Sequence, residues 1–216
     1  AITSRTKAIV VVHLYGLMAP MPAIMRVAAE RGLTVIEDCA QVIGASINGK
    51  KAGTFGDFAC FSFHGAKNMS TLGEGGMLVV RDPKRAALVP GLRHNGCRPY
   101  SGDREFYWKP AMSDVEADLP GVWPYNFCLG EAQCALGLSL LERIDAMNAE
   151  RIRRAAKFID ALRDFPELSF QKVPAGYKHI YHLLSARFDG PDGPASRDRF
   201  MQTMWDEYGV KTIVQY

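Results

Sequence analysis

The sequence predicts an α/β fold, with a mainly parallel sheet in a large first unit and a smaller α+β unit after it. Three observations carry this expectation. Ile9-Val10-Val11-Val12 and Leu33-Thr34-Val35-Ile36 are short, mostly β-branched runs separated by one helix-sized segment. Strand, helix and strand within about thirty residues form a βαβ unit, whose crossover is right-handed and whose strands run parallel. Further on, apolar residues at 129, 132, 136, 140, 144 and 147 keep helical spacing, which marks one long helix.

Taken in order, the continuous run at 9–12 reads as a strand covered on both faces. Pro22 stands at a first helical position, residues 23–31 read as the helix, and Gly32 ends it. The strand at 33–36 leads into Glu37-Asp38. Residues 59–63 and 77–80 give two more short strands around a glycine-rich loop, and 83–93 read as helical. Residues 95–125 are rich in Gly, Pro and Asp without any period, and are expected to form a long functional or partner-facing excursion. The long helix runs to near residue 162. A strand at 182–188, a helix at 197–208 and a strand at 210–214 follow. A boundary inside the long helix, near 145–150, divides the chain into 1–147 and 148–216. Repeats and low-complexity tracts are absent.

Composition narrows the function. Across 216 residues, 48% hydrophobic and 23% charged, 26 Lys and Arg oppose 23 Asp and Glu for a net +3. That charge is too small and too scattered for nucleic-acid binding. No apolar run approaches the roughly 18–20 residues of a membrane helix. Arg5 and Lys7 lead into a strand rather than a small-residue cleavage site, so a secretory signal is not expected. The five cysteines (39, 60, 97, 128, 134) are odd in number and include no Cys-x-x-Cys pair, which argues against a disulfide framework and a zinc site. A cytoplasmic protein handling small molecules is the expectation.

Ligands of open α/β sheets sit beyond the carboxyl ends of the strands. Asp38 lies at such an end, and so does Ser62, in Ser62-Phe63-His64-Gly65-Ala66-Lys67-Asn68. Gly73-Glu74-Gly75-Gly76 then allows tight turning. A lysine here has two obvious uses. As a phosphate-binding point charge it lacks the Gly-x-x-x-x-Gly-Lys-Ser/Thr order. As a Schiff-base lysine it needs its amine, ordinarily near pKa 10.4, depressed or bonded to a carbonyl carbon. Asp38 supplies the partner for that chemistry, because a pyridoxal 5′-phosphate (PLP) ring withdraws electrons best when a fixed carboxylate keeps its nitrogen protonated.

Five ordered strings extend this reading: Val12-His13-Leu14-Tyr15-Gly16, Ile36-Glu37-Asp38-Cys39-Ala40-Gln41, Gly53-Thr54-Phe55-Gly56-Asp57, Phe61-Ser62-Phe63-His64-Gly65-Ala66-Lys67-Asn68 and Gly73-Glu74-Gly75-Gly76. Together they resemble the DegT/StrS-type nucleotide-sugar aminotransferases, PLP enzymes of the aspartate-aminotransferase fold (fold type I). The resemblance runs from Thr6-Lys7-Ala8 to Gly209-Val210-Lys211-Thr212. It implies that Lys67 forms the Schiff base with the cofactor and then shuttles the proton. It likewise implies that Asp38 meets the pyridine nitrogen, Ala40 packs under the ring, Gln41 lies near the ring hydroxyl and Ser62 binds the phosphate. Pro124-Tyr125-Asn126-Phe127 matches a loop that reaches the phosphate of a second subunit, so Asn126 would act across a homodimer with a shared active site.

Two positions depart from the pattern. Cys128 stands where the family often has Arg, and Gln215-Tyr216 where a His-Tyr pair is usual. Both lie in regions with which the family shapes its substrate site. The family's N-terminal part, with a phosphate-binding turn and a residue over the other ring face, has no counterpart here. The chain also opens at Ala1 without an initiator Met and stops at Tyr216 after a strand-like run, so it is expected to be a piece of a longer protein.

The resemblance implies transfer of an amino group from an L-amino acid, glutamate being the expected donor, to a nucleotide-linked keto-sugar in deoxyamino-sugar biosynthesis. One rival is a PLP-dependent sugar dehydratase on the same scaffold, in which histidine replaces the lysine. Another is a non-catalytic fragment or sensor module. His13 and His182 are expected to satisfy core or interface hydrogen bonds, and His64 is given no role. Trp108, Trp123 and Trp205 are read as packing, and Arg151, Arg153 and Arg154 as a solvated helix face.

Overall fold

The computed structural model describes residues 1–97, 108 and 121–215. Its central sheet is built from β1 (Ala8–Val12), β2 (Thr34–Asp38), β5 (Phe58–Ser62) and β6 (Gly76–Val80), in the order β1-β2-β5-β6. The first three strands are parallel and β6 returns antiparallel on β5. Helix α1 (Met21–Arg31) makes the expected crossover. It starts two residues before the predicted segment, with Pro22 in its first turn. It stops at Gly32, whose left-handed backbone (φ 61°) turns the chain so that its N–H reaches the carbonyls of Ala28 and Ala29.

Side chains alternate across a strand, so β1 and β2 present two different faces. Val11, Val35 and Ala59 enter a core with Met18, Met21, Ala28, Val42 and Ile180. The other face of β1 is open: Val10 is 63% and Val12 50% exposed. This corrects the expectation that β1 is covered on both faces, for among the described residues no layer packs over that side.

Strands β3 (Ser46–Ile47) and β4 (Lys50–Lys51) form a small hairpin that the sequence pattern did not reveal. It pairs with β8 (Tyr177–Lys178), so the later part of the chain is stitched to the earlier part. Residues 83–93 break into α2 (Pro83–Ala86) and α3 (Val89–Arg93). Most of the 95–125 excursion lies outside the described residues.

The long helix is present as α4 (Glu131–Ala161), which buries Gly137, Ile144, Asn148 and Ala155. Beyond it, β7 (Leu168–Phe170) pairs with β9 (Ala186–Phe188), and α5 (Pro194–Tyr208) ends at Gly209.

Two strand expectations are corrected here. Of residues 182–188 only β9 is a strand. The segment before it instead docks on the Tyr15-Gly16 turn, with Ile180 N–H donating to Gly16 O and Leu183 N–H to Tyr15 O, while Tyr181 adopts a left-handed φ of 47°. Residues 210–214 form no strand, because among the described residues nothing pairs with them, and Ile213 and Val214 are exposed.

Candidate active site

Register brings the predicted residues to one edge of the sheet. Asp38 is the last residue of β2 and lies opposite Val12 on one side and Cys60 on the other. Ser62 ends β5 two residues further along. Because of the strand alternation, Glu37 points into the core while half-buried Asp38 points to the other face. Asp38 Oδ1 accepts the Ala40 N–H at 3.0 Å, and among the described residues its second oxygen has no donor. Gln41 Oε1 accepts the Tyr15 N–H at 2.7 Å, tying the turn after β1 to the turn after β2.

Lys67 sits in the loop between β5 and β6, half-buried, with its N–H on His64 O at 2.9 Å. Its amine has no ion-pair partner among the described residues. The loop is shaped by Gly65 N–H donating to Gly73 O and Thr71 N–H to Phe63 O. Ser62 Oγ accepts the His64 N–H at 3.3 Å. Gln133 pins the whole loop to the start of α4. Its amide donates to Thr71 O and Glu74 O, and its oxygen accepts Gly130 N–H.

Two buried polar clusters stand behind this edge. In the first, Glu37 is fully buried and its oxygens accept four donors: His13 Nε2–H and the N–H groups of Gly53, Phe55 and Gly56. Burial alone would raise its pKa, but these donors outweigh it and hold the carboxyl below its ordinary value. His13 Nδ1 accepts Ala19 N–H, so the ring proton belongs on Nε2.

In the second cluster, Asn68 bonds to both Asn148 and His182. Burial, then the cationic Lys67 and Arg151, push the His182 pKa down. Burial also pushes His179 down to about 4, against an opposing hydrogen bond with the Gly16 backbone. Cys39 and Cys60 beside Asp38 are pushed up, by burial first and then by neighbouring carboxylates, so both remain thiols.

Asn126 lies apart from these residues. It is exposed, its backbone pairs with His94, and its Oδ1 accepts the Cys128 N–H at 3.2 Å. Of the two departures from the family pattern, Cys128 is exposed, while Tyr216 lies outside the described residues. Arg153 and Arg154 clasp Glu150 on a solvated face as expected. Arg151 differs, being half-buried near His182.

The sequence profile of the DegT/DnrJ/EryC1/StrS aminotransferase family matches residues 1–216. The chain belongs to that family.

Among relatives, a UDP-N-acetyl-3-dehydro-alpha-D-glucosamine 3-aminotransferase of Acidithiobacillus ferrooxidans is 40% identical over 216 residues, covering 100% of this chain and 52% of the relative. The crystal structure of the aminotransferase TlmJ from Streptoalloteichus hindustanus superposes with a TM-score of 0.83 at 26% identity, over 100% of this chain and 53% of that one. A GDP-4-keto-6-deoxy-D-mannose-3-dehydratase of E coli, solved with bound hydrated PLP, shares the fold at a TM-score of 0.75 and 26% identity, over 94% of this chain and 52% of that one. The chain therefore spans about half the length of the proteins it matches. Such neighbours place this DegT/DnrJ/EryC1/StrS chain in fold type I.

The edge of the sheet is chemically suited to PLP. A half-buried carboxylate with one oxygen free of donors, an amine without an ion pair and a hydroxyl lie on adjacent strand ends and the loop that follows them. These complement, in turn, a protonated ring nitrogen, a carbonyl carbon and a phosphate.

Sequence reasoning missed Asn68, Asn148, Gln133 and the Glu37 cluster. Asn68, adjacent to Lys67, and Glu37, adjacent to Asp38, lay within motif strings and could have been found, whereas Asn148 and Gln133 lay outside any motif. No helix among the described residues is long and apolar enough to cross a membrane.

Proposed function

We propose that this chain carries part of a PLP-dependent aminotransferase that moves an amino group from glutamate to a nucleotide-linked keto-sugar, in deoxyamino-sugar biosynthesis. The observation that carries the reading is Asp38 at the end of β2 together with Lys67 in the loop that follows the neighbouring β5, in a chain of this family. The name of the 40%-identical relative supports the substrate class. In this reading residues 1–147 belong to the large cofactor-binding domain and 148–216 to the small one.

PLP bound here would supply an electron sink for the bond broken at the amino-acid α-carbon. Asp38 would hold the ring nitrogen through its free oxygen, Ser62 Oγ would donate to the phosphate, and Ala40 leaves room for the flat ring. Gln41, whose Oε1 accepts the Tyr15 N–H, would lie near the ring hydroxyl. Lys67 Nζ would carry the carbonyl carbon and, once released, take and return the proton, general acid–base work typically worth about 10²–10⁴-fold. Asn126 would reach the phosphate of a second subunit, which makes the working unit a homodimer with shared sites. The dehydratase alternative is disfavoured by the lysine at position 67.

The test is a visible absorption spectrum of the protein with PLP, before and after L-glutamate. A yellow band that bleaches with glutamate supports the reading. A band that glutamate leaves unchanged overturns the donor assignment. No band at all favours the non-catalytic fragment.

A further inference from the structure

The residue after Lys67 opens a chain of buried hydrogen bonds whose direction is fixed at its far end. Ile43 O, a backbone carbonyl, can only accept, so fully buried Asn148 must turn Nδ2 toward it, at 2.9 Å. Asn148 Oδ1 is then left facing Asn68, whose Nδ2 donates to it at 3.4 Å. That leaves Asn68 Oδ1 facing His182 Nδ1 at 2.9 Å. An amide oxygen cannot donate, so the ring proton must sit on Nδ1. Each amide orientation follows from the backbone carbonyl and not from an arbitrary choice between oxygen and nitrogen.

We propose that Ile43, Asn148 and Asn68 form a relay that fixes His182 as its Nδ1–H tautomer, keeping Nε2 as a lone-pair acceptor beside the Lys67 loop, where His182 acts as a positioning residue for Lys67. The positioning role rests on the aminotransferase reading, whereas the hydrogen-bond logic does not.

Three features support the relay. His182 lies in an irregular segment that no helix or strand holds, so Asn68 is what orients its ring. Burial first, and then two cations, Lys67 from the loop after β5 and Arg151 from α4, disfavour the charged form of the ring. A protonated His182 would put a second cation beside Lys67, which like-charge repulsion disfavours. A neutral ring instead adds no second positive charge beside the Lys67 amine.

The tautomer is read directly by long-range ¹H–¹⁵N NMR on the full-length protein labelled at histidine nitrogen. Neutral His182 is expected to carry its proton on Nδ1. Asn68→Asp keeps an acceptor and should preserve that state, whereas Asn68→Leu removes it and should let the Nε2–H form grow severalfold. A parent protein with His182 mainly Nε2–H overturns the relay whether or not any variant folds. An unchanged tautomer in folded Asn68→Leu overturns it as well.

The tie to Lys67 is read from the pH midpoint of the visible band in PLP-loaded protein. Asn148→Leu is expected to move it by about half a pH unit or more, and an unmoved midpoint overturns the positioning role. If the parent forms no band, the aminotransferase reading fails and takes the positioning role with it, while the tautomer measurement still decides the relay.

Discussion

Glu37→Gln tests whether the buried carboxylate holds the sheet edge as its four donors indicate. In the parent, Oε1 accepts from Phe55 and Gly56, and Oε2 from His13 and Gly53. A glutamine has one oxygen, so either orientation turns an NH₂ group toward two donors. His13 could rescue one contact by moving its proton to Nδ1, but Ala19 N–H would then lose its acceptor. At least two hydrogen bonds to a charged group are lost, each worth about 1.5–3 kcal/mol, giving about 3–6 kcal/mol in all. That is a large share of the roughly 5–15 kcal/mol by which domains are stable. Urea unfolding followed by circular dichroism near pH 8 measures it. The parent should also weaken in acid. The folded pKa of Glu37 is depressed, so its contribution is present above the unfolded value of about 4.3 and fades as pH falls through the folded one. The variant should lack that component. A loss below about 1 kcal/mol would refute the argument, since it is less than one charge-assisted hydrogen bond.

Other outcomes follow from the same geometry. His179 falls from an ordinary value near 6.5 to about 4, so the unfolded chain binds the extra proton first. Stability should drop by about 3 kcal/mol between pH 7.5 and 4 from this group, at about 1.36 kcal/mol per pH unit once the unfolded group is protonated. His179→Gln should flatten that part of the urea profile, and an identical slope would contradict it. Lys67→Ala should abolish the visible PLP band and transamination while leaving the far-ultraviolet circular dichroism intact; retained turnover would sink the assignment. Asn126→Ala should weaken PLP retention on dialysis of the full-length protein, and unchanged affinity would count against a cross-subunit role. Gly16→Ala should destabilise the docking of residues 180–183, because a Cβ there would lie 2.6 Å from the backbone nitrogens of Tyr181 and His182. A melting temperature within one degree of the parent would refute that packing.

The βαβ unit was legible because its signals are local: a β-branched run, Pro22, an apolar helix face and Gly32. Helix α4 was legible for the same reason, since its period persists over many turns. Where the outcome depends on distant partners, the local pattern misled. Residues 210–214 have strand composition, yet pairing needs a neighbour that composition does not supply. His182 to Ser185 likewise look like strand, but the backbone groups of the segment around His182 are drawn to Tyr15 and Gly16. At the site, Asp38, Ser62 and Lys67 were visible from strand ends and spacing. Asn148 was not, because its partners are 80 and 105 residues away in sequence. A lone asparagine in an apolar helix stripe gives no sign of what it will meet.

Helix α4 has a mechanical consequence. Its 31 residues make a rod about 46 Å long, and its two grips on the Lys67 loop, Gln133 and Asn148, stand about 22 Å apart at 1.5 Å per residue. A stiff bar clamped twice to one loop cannot pivot at either clamp without moving the other. Tilting its far end, near Leu162, would therefore lever the Lys67 loop instead of being absorbed as a local bend. A spin label at Leu162 and another in the loop would keep a fixed separation while both travel relative to the central sheet.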